Sequence, residues 1–160
     1  MAELISITIT GLEQLIAKCN APVHAAPIRT AFTESALELE AAAKRGVGRK
    51  TGALQRSITH RIDGAPIPAF AEVGLLGGGP RTKAGQPYGP MHHDGTGPHV
   101  IRPKAKRALF WPGARHPVRG VHHPGTRANP FLTNALNASR SKIEGYFAAA
   151  ARAIEAAWSG

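Results

Sequence analysis

At 160 residues the chain is about one domain long, with enough residues for one modest hydrophobic core and too few for two. Its single cysteine, Cys19, excludes an internal disulfide and a zinc site built on a Cys-x-x-Cys pair. The apolar runs are short and interrupted, so we expect neither a transmembrane helix nor a signal peptide, and a protein that is cytosolic when made.

The formal net charge of +10 is unevenly distributed along the chain. Residues 1–43 are net acidic, residues 44–62 carry six basic residues and no acid, and residues 81–127 carry nine basic residues against the single Asp94. Such a field attracts nucleic acid, or an acidic face of a protein partner, through the same long-range electrostatics. Charge alone leaves both classes of partner open.

The first half of the chain predicts three strands and one long helix. Residues 4–10 alternate and are rich in β-branched side chains, which predicts a first strand, followed by a helical turn over 11–16. From about Pro27 to Arg45 apolar residues recur at three and four, which predicts an amphipathic helix that Gly46 and Gly48 end. Residues 57–62 predict a second strand, with 69–74 as its partner.

The second half predicts a long loop, two short strands and a final helix. Residues 74–99 are rich in glycine and poor in hydrophobic residues, so we expect a flexible loop or arm there. Residues 100–102 and 108–111 predict two short strands separated by a basic turn. The final helix begins at Asn129-Pro130-Phe131 and carries an apolar stripe typical of a core or subunit-packing face: Leu132, Leu136, Ile143, Phe147, Ile154 and Trp158.

These elements together predict an α+β fold in a single domain spanning residues 1–160. We expect a small, twisted, mostly antiparallel sheet that packs with a long N-terminal helix and a C-terminal helix, plus the long glycine-rich loop over 74–99. Pro124 and Gly125 reverse the chain ahead of the final helix, because Pro fixes φ and Gly tolerates a tight turn. Phe131 is then expected to anchor that helix on the sheet.

The histidines raise the possibility of a metal site. Six of the eight lie between residues 88 and 132, and with Asp94 they are the residue types that a metal-dependent nuclease uses to activate water and hold phosphate. Their spacing argues against that function, because adjacent histidines in a strand point to opposite faces and no His-x-x-x-His lies on a predicted helix. The lone His60 on a strand face is interpreted as structural. We expect no metal and no other cofactor.

No other catalytic pattern is present. The sequence has no Gly-x-Ser-x-Gly elbow, Cys19 has no histidine at a recognisable spacing, and the acids are too scattered for a carboxylate pair. The chain is therefore predicted not to be an enzyme, and the metal-dependent nuclease is kept as the alternative.

A basic nucleic-acid-binding protein is a second alternative. Single-strand binding requires aromatic platforms among the basic residues. The basic region offers only Tyr88, Phe110 and Trp111, and the last two lie on a strand that we predict to be buried. A solvated basic loop that meets an acidic protein surface explains the same charge, so this alternative stays open too.

Two motifs carry a resemblance to a known family. The segment Thr51-Gly52-Ala53-Leu54-Gln55-Arg56-Ser57-Ile58 is followed by a glycine-rich middle with Tyr88, His92 and Gly95-Thr96, and then by His123-Pro124-Gly125-Thr126 and Asn129-Pro130-Phe131-Leu132. In this order, over about residues 10–158, the chain resembles the neck and tail-completion (head-tail joining) proteins of lambda-like tailed bacteriophages.

The resemblance implies a non-enzymatic structural protein of the virion neck, made in the host cytoplasm and assembled into a ring, often of six subunits, through which DNA passes. Its partners would be copies of itself and adjacent neck proteins, such as a connector or stopper and the tail terminator or tail tube. The residues predicted to serve assembly are Tyr88, Arg102, Lys104, Lys106, Arg107, His123, Pro124, Gly125, Thr126 and Phe131.

Overall fold

A computed structural model describes residues 22–48, 51–65, 68, 70–83 and 85–159. The predicted strand over 4–10, the turn over 11–16 and Cys19 lie outside the described residues. The fold is α+β, as predicted. Its elements within the described residues are α1 (Pro22–Gly46), α2 (Ala53–Ser57), β1 (Thr59–Asp63), β2 (Phe70–Gly74), α3 (Tyr88–Asp94), β3 (His99–Ile101), β4 (Val121–His123) and α4 (Phe131–Ser159).

The two long helices, α1 and α4, pack side by side in opposite directions. We call this antiparallel pair the helical hairpin, although the chain between Gly46 and Phe131 separates the two helices in sequence. Trp158 at the end of α4 donates its indole N–H to Nε2 of His24 near the start of α1, at 2.8 Å. In the middle, Lys142 Nζ lies 2.9 Å from Oε1 of Glu38. Because residues late in α4 meet residues early in α1, the helices run in opposite directions side by side.

Helix α1 begins at Pro22, earlier than the predicted start at Pro27, and it ends at Gly46 as predicted. Pro27 lies inside the helix and removes one backbone hydrogen bond near its beginning. Helix-favouring Ala, Leu and Glu from residue 34 onwards support the remaining turns.

The buried side chains of the helical hairpin are mostly small. They include Ala25, Ala31, Ala36 and Ala43 on α1 and Ala135, Ser139 and Ala150 on α4. Small side chains let two helix backbones approach closely. The predicted stripe on α4 is only partly a core face, because Leu132, Ile143 and Ile154 are half-buried whereas Leu136, Phe147 and Trp158 are exposed.

The main hydrophobic core lies where α1 ends and α4 begins. Phe131 is 1% exposed and Ile58 is fully buried, and they share one cluster with Ala43, Val47 and Leu54. Phe131 is therefore an anchor, as predicted, but the predicted partner was wrong. The cluster is built mainly from α1, α2 and the segments that follow them, and only half-buried Val73 of β2 joins it from a strand.

Strands β1 and β2 form the first two-stranded antiparallel sheet, with Thr59 opposite Gly74 and Asp63 opposite Phe70. This confirms the predicted pairing. The predicted alternation also holds, since His60 is half-buried between exposed neighbours. Its Nδ1 lies 2.5 Å from Oε2 of Glu40 on α1, so His60 has the structural partner that was expected.

A second, separate sheet pairs β3 with β4, and it corrects one prediction. His99 lies opposite His123 and Ile101 opposite Val121, so residues 100–102 do not lead to a strand over 108–111. In that predicted strand only Leu109 forms a bridge, to Val118. Proline has no N–H for a ladder, and prolines flank this bridge at residues 103, 112 and 117, which keeps it isolated.

Part of the predicted loop over 74–99 is a helix, α3. Pro87 precedes it, and Pro90 lies in its first turn, where proline is tolerated. Tyr88 packs against the main core from this helix. Gly89 is buried so closely that a Cβ there would lie 2.1 Å from Cδ1 of Leu75. Local composition indicated a loop because the contacts that stabilise α3 come from elsewhere in the chain.

Candidate interaction surface

Residues 95–127, which we call the arm, leave the fold after α3 and return just before α4. The arm is paired at three levels. Thr96 bridges Thr126 at its base, β3 pairs with β4 above that, and Leu109 bridges Val118 farthest out. These antiparallel pairings make the arm one long, irregular β-hairpin.

The base of the arm is closed by two backbone hydrogen bonds. The Thr96 N–H donates to the Thr126 carbonyl at 2.9 Å, and the Thr126 N–H donates to the Thr96 carbonyl at 3.0 Å. The Thr96 hydroxyl also accepts from the Thr126 N–H at 3.0 Å. The predicted assembly residue Thr126 is therefore half of a clamp that joins the two legs of the arm.

A glycine precedes each threonine of this clamp, and both glycines are required by geometry. Gly95 and Gly125 have φ of +76° and +93°, in the region that side-chain-bearing residues rarely adopt. A Cβ on Gly125 would lie 2.1 Å from the backbone carbonyl oxygen of Thr96, and one on Gly95 would lie 2.6 Å from the backbone carbonyl oxygen of Thr126. The two Gly-Thr pairs thus play equivalent parts, because each packs against the backbone of the other where the two legs meet. Of the two glycines, only Gly125 was among the predicted site residues.

Asn129 joins the exit of the arm to both α3 and α1. Its backbone N–H donates to the His92 carbonyl at 3.0 Å, and its Nδ2 donates to the Gly46 carbonyl at 3.1 Å. The second bond satisfies a carbonyl at the C-terminal end of α1, where helices leave acceptors unpaired. The local sequence around Asn129 indicates only the start of a helix, because the hydrogen-bond partners of Asn129 are distant in sequence.

Three predicted site residues, Tyr88, His123 and Thr126, line one open cavity at the base of the arm. His123 is half-buried there, and its Nδ1 accepts from the Gly125 N–H at 3.1 Å, while Pro124 beside it is exposed. Tyr88 belongs to the edge of the core rather than to the basic run. This cavity of about 310 Å³ is lined by Tyr88, Met91, His92, Thr96, His99, His123 and Thr126.

The predicted basic residues lie farther out on the arm. Arg102, Lys104, Lys106 and Arg107 are all exposed, on the bends that follow β3. Phe110 and Trp111 come next, and their predicted burial was wrong, because Phe110 is 67% and Trp111 46% exposed. An isolated bridge has no second layer to cover it, so these rings reach solvent.

The histidines of the arm and α3 lie near one another, and the rings of His99 and His123 have centroids 5.0 Å apart. His93 Nδ1 lies 2.6 Å from Oδ1 of Asp94, and His99 Nδ1 lies 3.0 Å from the Gly97 carbonyl oxygen. His92 stacks on Phe131, with ring centroids 6.1 Å apart. Among the described residues, no three His, Cys, Asp or Glu side chains are grouped closely enough to hold a metal ion.

Among the described residues, Glu38 and Glu40 of α1 are the carboxyl groups whose pKa departs clearly from the ordinary value. Hydrogen bonding from Lys142, together with the Lys142 and Arg45 charges, keeps the pKa of Glu38 below its ordinary value. Burial by itself raises the pKa of Glu40, but hydrogen bonds from Lys44 and His60, with their charges, outweigh burial and lower it. Both carboxylates therefore contribute to stability in their charged form.

Comparisons of the chain with protein-family models, with curated proteins and with solved structures find no match. In the part of the chain that the structure describes, no helix combines the length and the apolar character needed to cross a membrane. The two packed motifs and the exposed surfaces of α4 and the arm are therefore the features on which a function can be proposed.

Proposed function

We propose that this protein is a structural component of a tailed-phage neck that assembles into a ring at the head-tail interface, with DNA passing through the ring. The observation that carries the proposal is the packing of the two motif segments that underlie the family resemblance. Leu54 and Ile58 of the first segment share the main core with Phe131 of the second. Residues that serve one core are under a common constraint, which supports reading the two motifs as a single unit.

Partly exposed apolar side chains in a line at the edge of α4 supply a surface for contacts between subunits. Phe147 and Trp158 touch Phe32 and His24 of α1 on one side and remain 37% and 52% exposed. Leu136, Phe147 and Trp158 are spaced by 11 residues, which is close to three helical turns, so they lie along one side of the helix. The line is about 33 Å long at 1.5 Å rise per residue. Burial of these side chains against a neighbouring subunit would remove their remaining apolar surface from water, which favours association. In a ring each subunit would bury this line against a different surface of its neighbour.

The further partners in this proposal are the adjacent neck proteins, such as a connector or stopper, a tail terminator or a tail tube. The ring would then be located in the virion neck after assembly in the host cytoplasm. Six subunits is the number that the family resemblance favours.

Light scattering across a concentration series, with electron microscopy of any large species, tests the ring. We expect annular particles with a mass of about six protomers. Leu136→Glu should shift the mass toward one protomer, because it places a charge in the apolar line. Asn137→Glu adds the same charge at an exposed neighbouring position on α4 and should leave the ring intact. A single-protomer mass at every concentration, without annular particles, contradicts the proposal.

A further inference from the structure

Among the described residues the cations of the arm have no partner, whereas several cations of the helical hairpin are paired. The arm carries no Asp or Glu, and its seven basic residues are all exposed: Arg102, Lys104, Lys106, Arg107, Arg115, Arg119 and Arg127. Within the described residues none of the seven forms a side-chain hydrogen bond or an ion pair. On the helical hairpin, by contrast, Lys44 pairs with Glu40, and Lys142 pairs with Glu38. The arm thus presents an uncompensated positive field.

Two of these cations border one concave surface. Arg102 directly follows β3 and Arg119 lies just before β4, so the strand register brings them to the same level of the arm. With Val100, Gly120 and His122 they line an open cavity of about 440 Å³. Guanidinium groups bind phosphate through paired N–H donors, and two of them around one concavity suit an anion.

Exposed aromatic rings lie beyond this cavity. Phe110 and Trp111 are adjacent in sequence and both are exposed, next to the bridge between Leu109 and Val118. Aromatic side chains among cations are the two components by which proteins bind single-stranded nucleic acid, since every base has a face that can stack. The arm therefore presents accessible aromatic rings among its cations, which the predicted burial of Phe110 and Trp111 had argued against.

We propose that the arm binds the phosphate backbone of nucleic acid, with Arg102 and Arg119 holding phosphate and with Trp111 stacking on unpaired bases. Nucleic acid fits better than an acidic protein, because the cations are spread along an acid-free hairpin and phosphates repeat along a line. Assigning the arm to the DNA path of a neck ring rests on the proposed function. The binding itself needs only the free protein, so its failure is distinct from failure of the ring.

The experiment measures fluorescence anisotropy of labelled oligo-dT and of a labelled duplex of the same length, titrated with the full chain at several salt concentrations. We expect affinity for both that falls steeply with salt. Arg102→Ala with Arg119→Ala should weaken both complexes by about tenfold or more. The double substitution should also reduce the salt slope for oligo-dT by about 1.4, since each phosphate contact on a single strand contributes about 0.7.

The matched control is Arg140→Ala with Arg152→Ala, which removes the same charge from exposed positions of α4 and should leave binding nearly unchanged. Trp111→Ala should weaken oligo-dT binding more than duplex binding. The proposal is overturned if the Arg102 and Arg119 variant binds like the control variant. It is also overturned if polyglutamate binds the arm as tightly as oligo-dT, which would favour an acidic protein partner. Equal effects of Trp111→Ala on the two nucleic acids would remove stacking from the proposal.

Discussion

The helical hairpin and the arm are stabilised by different kinds of contact. In the helical hairpin, buried alanines bring α1 and α4 together, and charged groups such as Glu38 and Lys142 are paired. In the arm, all three residues of β3 are exposed, and the legs are held mainly by backbone hydrogen bonds such as those between Thr96 and Thr126. The helical hairpin is held together by buried side chains, and the arm is held together mainly by its backbone.

The difference separates stability from recognition within one small chain. Burial of apolar surface is the main favourable term in folding, so the helical hairpin and its core carry most of the stability. Side chains of the arm contribute little to stability, which leaves them free to be selected for contact with a partner. Two phenylalanines illustrate the difference, because Phe131 is buried in the core whereas Phe110 is exposed on the arm.

The largest expected effect comes from the core. Phe131→Ala should lower the free energy of unfolding by about 3 kcal/mol, because it leaves a cavity in the cluster around Ile58. Phe110→Ala is the matched control on the arm and should change it by less than about 0.5 kcal/mol. Urea unfolding of both variants measures the difference. Similar losses in the two variants would refute the division between core and arm.

A smaller effect is expected at the clamp. Gly125→Ala should destabilise the base of the arm by about 1–3 kcal/mol, since its φ is positive and the new Cβ would collide with the Thr96 carbonyl. Native-state hydrogen exchange should report faster exchange at the Thr96 and Thr126 amides. Gly97→Ala is the control, because nothing lies within 4 Å of its Cβ position. Equal protection of the Thr96 and Thr126 amides in the two variants would show that the hydrogen bonds between these threonines do not need Gly125.

The smallest effect is expected from the paired acids of the helical hairpin. The folded pKa of Glu40 lies below the ordinary value of 4.5, so its contribution is present above that pH and is lost as pH falls through the folded pKa. Unfolding free energy measured from pH 7 to pH 3 should therefore decline at the acid end. Glu40→Gln should flatten this decline. Glu34→Gln, at an exposed acid with no ion pair in the described residues, should not change it.

Periodicity in the sequence was enough to predict the long helices and the β1–β2 pairing. The repeat of apolar residues in α1 and α4 and the alternation around His60 are local patterns, and local patterns report which face of an element is buried. Helix α3 and the role of Asn129 were not predictable in this way. Their stabilising contacts reach Leu75 and Gly46, which lie far away along the chain.

By itself the sequence determined the α+β class, the buried anchor at Phe131 and the concentration of positive charge between β3 and β4. Only the tertiary structure decided that Gly95 and Gly125 each lie against the backbone of the opposite leg of the arm. It also decided that Phe110 and Trp111 are exposed rather than buried. The physical reason is that charge and periodicity belong to a segment alone. Exposure and strand register depend on which distant segment, if any, packs against it.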